Sequence, residues 1–206
     1  MKIIAISDTH GKTPILPKGD ILVHCGDWSM AGTFQETMSF LTWLSGIRND
    51  YKEILVVPGN HDRWVEFNLA LAKQEFASRN IKLLIDELVT IDGIRFYGHP
   101  WTPMFCNWSF MLYKDEMIEK CAVIPPHDIL LSHGPIKGLL DYCDNGHVGC
   151  EALYDAVDRL RPKKIFCGHI HEGYGEGGIK GINVYNVSHM NKRYKGVNKY
   201  VEIEYS

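Results

Sequence analysis

The chain has 206 residues, with 22 Lys plus Arg against 25 Asp plus Glu, and a formal net charge of −3. An apolar fraction of 45% and a charged fraction of 23% are ordinary for a globular protein, which excludes a disordered or fibrous chain. The near-neutral balance argues against a protein that coats nucleic acid, and the length predicts one domain over residues 1–206.

Short runs rich in Ile and Val, too short for helices, predict strands at residues 3–7 and 21–25. Thr33-Phe34-Gln35-Glu36 has the spacing of a capping box. It opens a helix whose apolar positions Phe34, Met38, Leu41 and Leu44 share one face. A strand at 53–58 and an amphipathic helix at 66–78 follow. Residues 88–91, then Asp92-Gly93, then 94–97 make a hairpin with a two-residue type I′ turn. Helices are expected at 113–122 and 151–160, the second limited by Pro162, and strands at 128–132, 164–168, 181–187 and 199–203. Strands buried on both faces and alternating with helices predict an α/β fold. Its two mixed β-sheets are sandwiched between helices in a four-layer αββα order.

No stretch approaches the ~18 consecutive apolar residues of a membrane span. The opening apolar run ends at Ser7-Asp8, too short for a secretion signal. The six cysteines (Cys25, Cys106, Cys121, Cys143, Cys150 and Cys167) form no CxxC pair. They read as reduced, mostly buried thiols of a cytoplasmic protein.

Polar clusters stand just after the strand-like runs: Asp8-Thr9-His10, Gly26-Asp27, Gly59-Asn60-His61-Asp62, Ser132-His133-Gly134 and Gly168-His169-Ile170-His171. Ligands of open α/β sheets bind beyond the carboxyl ends of the strands, so these clusters are expected to converge. In extended chain Asp8 and His10 project to one side, as do His169 and His171. The donor list is Asp8, His10, Asp27, Asn60, His133, His169 and His171. It exceeds the needs of one tetrahedral ion and fits two, with one carboxylate bridging. Mixed N and O donors suit Mn, with Fe, Zn, Co or Ni as alternatives. Two divalent ions outweigh two carboxylates, and the resulting positive pocket favours an anionic substrate such as a phosphate ester.

These motifs, in this order, resemble the calcineurin-like metallophosphoesterases. Asp20–Asp27, Tyr97–Pro103, Cys106-Asn107-Trp108, Ser132–Pro135 and Gly168–Gly175 are similar to the MPPED-type small phosphodiesterases. The resemblance implies the four-layer fold and hydrolysis by direct attack of a metal-bridging hydroxide on phosphorus. It implies that Asp27 bridges, that Asp8, His10 and His171 complete one metal, and that Asn60, His133 and His169 complete the other. His61 would protonate or stabilise the leaving alkoxide, and Asp62 would orient that imidazole. Some MPPED-type proteins lose activity through a replaced ligand His; here His169 is present, which implies competence. Protein Ser/Thr phosphatases carry Asn-His-Glu where this chain has Asn60-His61-Asp62, and are disfavoured.

The expected substrate is a small, nucleotide-like phosphoester, with cyclic nucleotides among the candidates. A nucleotide-binding scaffold with little turnover, or a nuclease, is the alternative. Trp101 and Asn107, in a stretch dense in aromatics, are candidates to stack or bind a nucleobase, against plain packing of the hairpin. Tyr174 is a candidate at the pocket rim within a glycine-rich loop. Lys192-Arg193-Tyr194-Lys195 reads as a solvated basic loop, and His24 as a core or supporting histidine.

Overall fold

Alternate residues of the first strand face two different cores, and the layers follow from that. The structure, a computed structural model, describes residues 1–205. In chain order the first half contains β1 (Lys2–Ile6), β2 (Ile21–His24), α1 (Phe34–Ile47), β3 (Glu53–Val56), α2 (Arg63–Phe67), α3 (Leu69–Ala77), β4 (Lys82–Leu83), β5 (Glu87–Ile91) and β6 (Ile94–His99). The second half contains β7 (Thr102–Pro103), β8 (Met111–Leu112), α4 (Lys114–Ala122), β9 (Ile129–Ser132), β10 (Tyr142–Cys143), β11 (Gly146–His147), α5 (Glu151–Leu160), β12 (Lys164–Cys167), β13 (Gly175–Ile179), β14 (Ile182–Asn186) and β15 (Val201–Glu204).

Ile3 and Ala5 of β1 point into a core with Val23, Leu55, Phe96, Leu131 and Phe166, which lies between two sheets. Ile4 and Ile6 point the other way, onto Leu41 and Leu44 of α1 and Phe76 of α3. The outer face of the second sheet (Leu130, Ile165, Val184) packs on Met117 of α4 and on Leu153 and Val157 of α5. The period-2 alternation of strand side chains thus produces the order helix, sheet, sheet, helix. The first sheet runs β15-β1-β2-β3-β4, and the second β13-β14-β12-β9-β6-β5. Edge strands β15, β5 and β13 pair antiparallel, and the remaining pairs in both sheets are parallel. Parallel pairing brings the carboxyl ends of β1, β2 and β3 to one level, with Ile6 opposite His24 and His24 opposite Val56. A parallel bridge between Ser7 and Ser188 joins the two sheets at that edge.

Several expectations shift in detail. The buried face of α1 is Thr37, Phe40, Leu41 and Leu44, while Phe34 is exposed and lies 5.1 Å, centroid to centroid, from Trp64. Thr37 tolerates burial because its Oγ1 accepts from Trp28 Nε1 at 3.4 Å. The helix expected at 66–78 begins at Arg63 and breaks at Asn68, whose Nδ2 donates to Trp64 O at 2.9 Å. Such side-chain bonding competes with helix continuation. The glycine-rich loop after Tyr174 is a strand, β13, paired along its length with β14. All six cysteines are free; Cys106 is exposed and Cys143 half-buried, so those two depart from the buried expectation. Among the described residues, no helix is long and apolar enough to cross a membrane.

Candidate metal centre

The site is assembled from the turns that follow β1, β2, β3, β9 and β12. Four of its residues sit in left-handed backbone: Asp8 (φ 52°), His10 (φ 41°), Asp27 (φ 57°) and His169 (φ 68°). Each such residue costs on the order of 1 kcal/mol and persists because its surroundings over-determine it. Asp8 N donates to Gly26 O at 2.8 Å and His10 N to Asp27 O at 3.0 Å, which fixes the first turn on the second. Two glycines permit the close approach. A Cβ at Gly59 would collide with Asp27 Oδ1, and one at Gly168 with Ser7 Oγ and Asp8 Oδ2.

Three groups of ligand atoms lie within 4.8 Å of one another: Asp8, His10 and His171; His10, Asp27 and His61; and Asp27, His133 and His169. Asn60 Oδ1 stands 2.9 Å from His133 Nε2 and so joins the third group. The structure therefore brings all seven sequence-predicted donors together, with Asp27 shared between neighbouring groups. It also sets His61 close enough to Asp27 and His10 to count as a donor, a position the sequence did not suggest.

The imidazoles are aimed by their other nitrogen. Nδ1 of His10 donates to Ser29 O (2.9 Å), His61 to Met30 O (2.7 Å), His133 to Cys25 O (2.8 Å) and His171 to Asn191 O (3.2 Å). These contacts select the tautomer that leaves Nε2 free to ligate. His10 Nε2 is buried with no hydrogen-bond partner. A buried imidazole nitrogen without a partner is costly and fits a coordinating atom. The set of imidazoles, carboxylates and one amide thus fits two divalent ions.

Electrostatics agree with that fit. Burial opposes ionisation of Asp8, but hydrogen bonding and charge from His171 draw its carboxyl well below the usual range. Burial likewise opposes the charged form of His133, yet the Asp27 carboxylate 3.4 Å away pushes it up to about 9. Burial and the charge on His133 take His169 down to about 4. Protons thus occupy part of the cluster that cations would otherwise fill.

Asp62 makes no hydrogen bond to the His61 ring. Its Oδ2 accepts from Asp27 N and Gly59 N (both 2.8 Å), and its Oδ1 from Ser29 N (3.1 Å) and Ser29 Oγ (2.8 Å). It ties the turns after β2 and β3 together, and the acceptor that orients His61 is the Met30 carbonyl. Burial, then the Asp27 charge, push the Asp62 carboxyl up to about 8 against those four donors. His24 is a supporting core residue: Gly26 N donates to its Nδ1 at 3.3 Å, and its Nε2 lies 3.1 Å from Thr9 Oγ1.

A cavity of about 570 Å³ covers the cluster, walled by Phe105, Trp108, Val148, Ile170, Lys192 and Tyr194 among others. The Trp108 ring is 4.1 Å from that of His61, and the Tyr194 ring is 5.1 Å from His10 and 5.0 Å from His171. None of the three substrate-contact candidates lines this cavity. Trp101 is packed away, its Nε1 donating to Asp86 Oδ2 at 2.8 Å and its ring under Lys120 Nζ at 4.8 Å. Asn107 lines a smaller hollow behind Trp108. The Tyr174 hydroxyl donates to Lys199 O at 3.1 Å. Trp108 and Phe105 belong to the aromatic stretch already noted. Lys192 and Tyr194 come from the basic run read as solvated, where the aromatic flanked by cations was the available signal.

The pattern of the calcineurin-like phosphoesterases matches residues 1–173, and the chain belongs to that family. Its members normally hold a dinuclear divalent site, and the donor groups here suit one. The chain is 35% identical to human metallophosphoesterase domain-containing protein 1 over 98% of its own length and 70% of the relative. It is 29% identical to a UPF0046 protein of Caenorhabditis elegans, covering 93% of this chain and 71% of that one. A solved crystal structure from Thermus thermophilus shares the fold, with a TM-score of 0.62 at 12% identity over 90% of this chain and 88% of that one. Another solved chain gives a TM-score of 0.70 at 17% identity over 100% of this chain and 99% of that one.

Proposed function

We propose that the chain is a two-metal phosphodiesterase acting on a small, nucleotide-like phosphoester. The observation that carries this reading is the sharing of Asp27 between adjacent, inward-facing donor groups, with His61 beside it at the cavity floor. Two divalent ions held there would supply Lewis acidity and activate a water for attack on phosphorus. Asp8, His10 and His171 would hold one ion and Asn60, His133 and His169 the other, with Asp27 placed between the two groups. His61, held by the Met30 carbonyl, protonates the departing alkoxide. The balance is simple: water adds to phosphorus, one P–O ester bond breaks, and an alcohol and a phosphomonoester leave. The apolar walls Phe105, Trp108 and Ile170 favour an organic arm on the phosphate, and the net charge of −3 disfavours a polyanion. Buried free thiols at Cys25, Cys121, Cys150 and Cys167 support a reducing compartment such as the cytoplasm.

The test is turnover by chelator-stripped protein refilled with Mn. Bis(p-nitrophenyl) phosphate is compared with p-nitrophenyl phosphate, and 2′,3′-cAMP with 3′,5′-cAMP. Metal-dependent hydrolysis of diesters above the monoester is expected. Tight nucleotide binding with no turnover in fully metal-loaded protein would instead mark a binding scaffold.

A further inference from the structure

A second cavity adjoins the one above the donor cluster. The first is bordered by Pro103 of β7, which pairs with β8, and by Cys143 of β10, which pairs with β11. Pro103, Met104 and Val148 line both that cavity and the second, which has a volume of about 510 Å³. No member of the donor cluster borders the second cavity. Its walls are Leu112, Tyr113, Met117 and Ile118 on one side, and Cys150 and Ala152 at the start of α5 on the other.

The charges there are already engaged or of the wrong sign for phosphate. Lys114 Nζ lies 3.8 Å from Glu151 Oε2, and Lys137 Nζ donates to His147 O at 2.6 Å. Asp155 adds a carboxylate to the lining. Apolar walls with a hydrogen-bond acceptor suit an uncharged arm that carries hydroxyl or amine donors. A pocket of about 300–1,000 Å³ holds a whole small ligand, so the first cavity alone suffices for a mononucleotide. A monoester has one arm, and a cyclic diester ties both ester oxygens to one ring. Only a linear diester has two arms to distribute between two adjacent spaces.

We propose that the substrate is a linear phosphodiester with two bulky organic arms, the second lying in the compartment beyond Pro103, Met104 and Val148. This rests on the phosphodiesterase reading above. It is tested with Mn-refilled protein by comparing kcat/KM for 3′,5′-linked adenylyl-adenosine with that for 2′,3′-cAMP and 3′,5′-cAMP, with bis(p-nitrophenyl) phosphate as reference. The same panel is run on Ala152→Trp and on Ile118→Trp. Ile118 is 49% exposed, so bulk there is compatible with folding. The linear dinucleoside is expected to be favoured at least tenfold. Each variant is expected to lower its kcat/KM, through KM, at least fivefold more than that of the cyclic nucleotides. Cyclic nucleotides turned over as well as the linear one, or variants that affect both alike, would overturn the two-arm proposal while hydrolysis of the reference leaves the phosphodiesterase reading standing. No turnover of any diester, the reference included, would overturn both.

Discussion

In the proposed reaction His61 is the proton donor to the leaving group. Its Nδ1–H is committed to the Met30 carbonyl, so Nε2 faces Asp27 and the cavity. His61→Ala is expected to lower kcat by about 10²–10⁴-fold while both ions remain bound. Loss of an ion on metal analysis of the variant would make His61 a ligand instead. Gly168 tests the tightness of the site, since a methyl there meets Ser7 Oγ and Asp8 Oδ2. Gly168→Ala should weaken metal binding by about 10–100-fold, the scale of displaced ligand support, and calorimetric titration with Mn measures it. The convergence of the seven candidate donors was legible because each follows a strand whose end the topology places at one edge. The cavity wall was not. Trp108, Lys192 and Tyr194 come from irregular segments without period, and nothing local to Asp62 reveals that its carboxylate collects the amides of Gly59, Asp27 and Ser29.

At the scale of elements, the start of α1 reaches the turn that carries Met30. Glu36 accepts from Met30 N and Ala31 N (both 3.0 Å) and from Thr33 N (2.9 Å), so the capping box holds the same segment whose carbonyl orients His61. Burial opposes the charge, but these backbone donors take the Glu36 carboxyl down to about 2. A depressed carboxyl stabilises the fold above its unfolded pKa of about 4.3, and that contribution vanishes as pH falls through about 2. Glu36→Gln should cost about 1 kcal/mol at pH 7, read as a lowered Tm. The gap from the parent chain should close between about pH 4.5 and 2; a gap constant across that window would contradict the assignment. The capping box and the Asp92-Gly93 hairpin were readable because their geometry is local. β13 was not, because Gly-Glu-Gly-Gly-Ile carries no strand signal of its own and takes its pairing from β14. The face of α1 was misjudged for the same reason: period alone does not show that Trp28 gives Thr37 a partner or that Phe34 covers Trp64.

Across the whole molecule, two sheets share one core and meet at the edge where Ser7 pairs with Ser188, so the donor cluster spans the seam between them. Ions bound there would tie the sheets together, and stability would rise with metal concentration, by about 2.7 kcal/mol at 100 times the Kd. Proton linkage has a definite sign. The Asp27 charge, working against burial, raises His133 to about 9, so metal must displace a proton there and apparent affinity should climb as pH rises from 6 towards 9. Affinity independent of pH over that range would contradict it. The alternation of buried strands with helices made the layered architecture readable. The order of strands across each sheet depends on long-range pairing that a single sequence does not display.

The most direct test is to count ions and turnover together. Chelator-stripped protein is titrated with Mn while bound metal and hydrolysis of bis(p-nitrophenyl) phosphate are followed in the same samples. Two ions per chain are predicted, with turnover appearing as the second site fills and disappearing on chelation. Saturation at one ion, or hydrolysis that survives complete metal removal, would contradict the two-metal account.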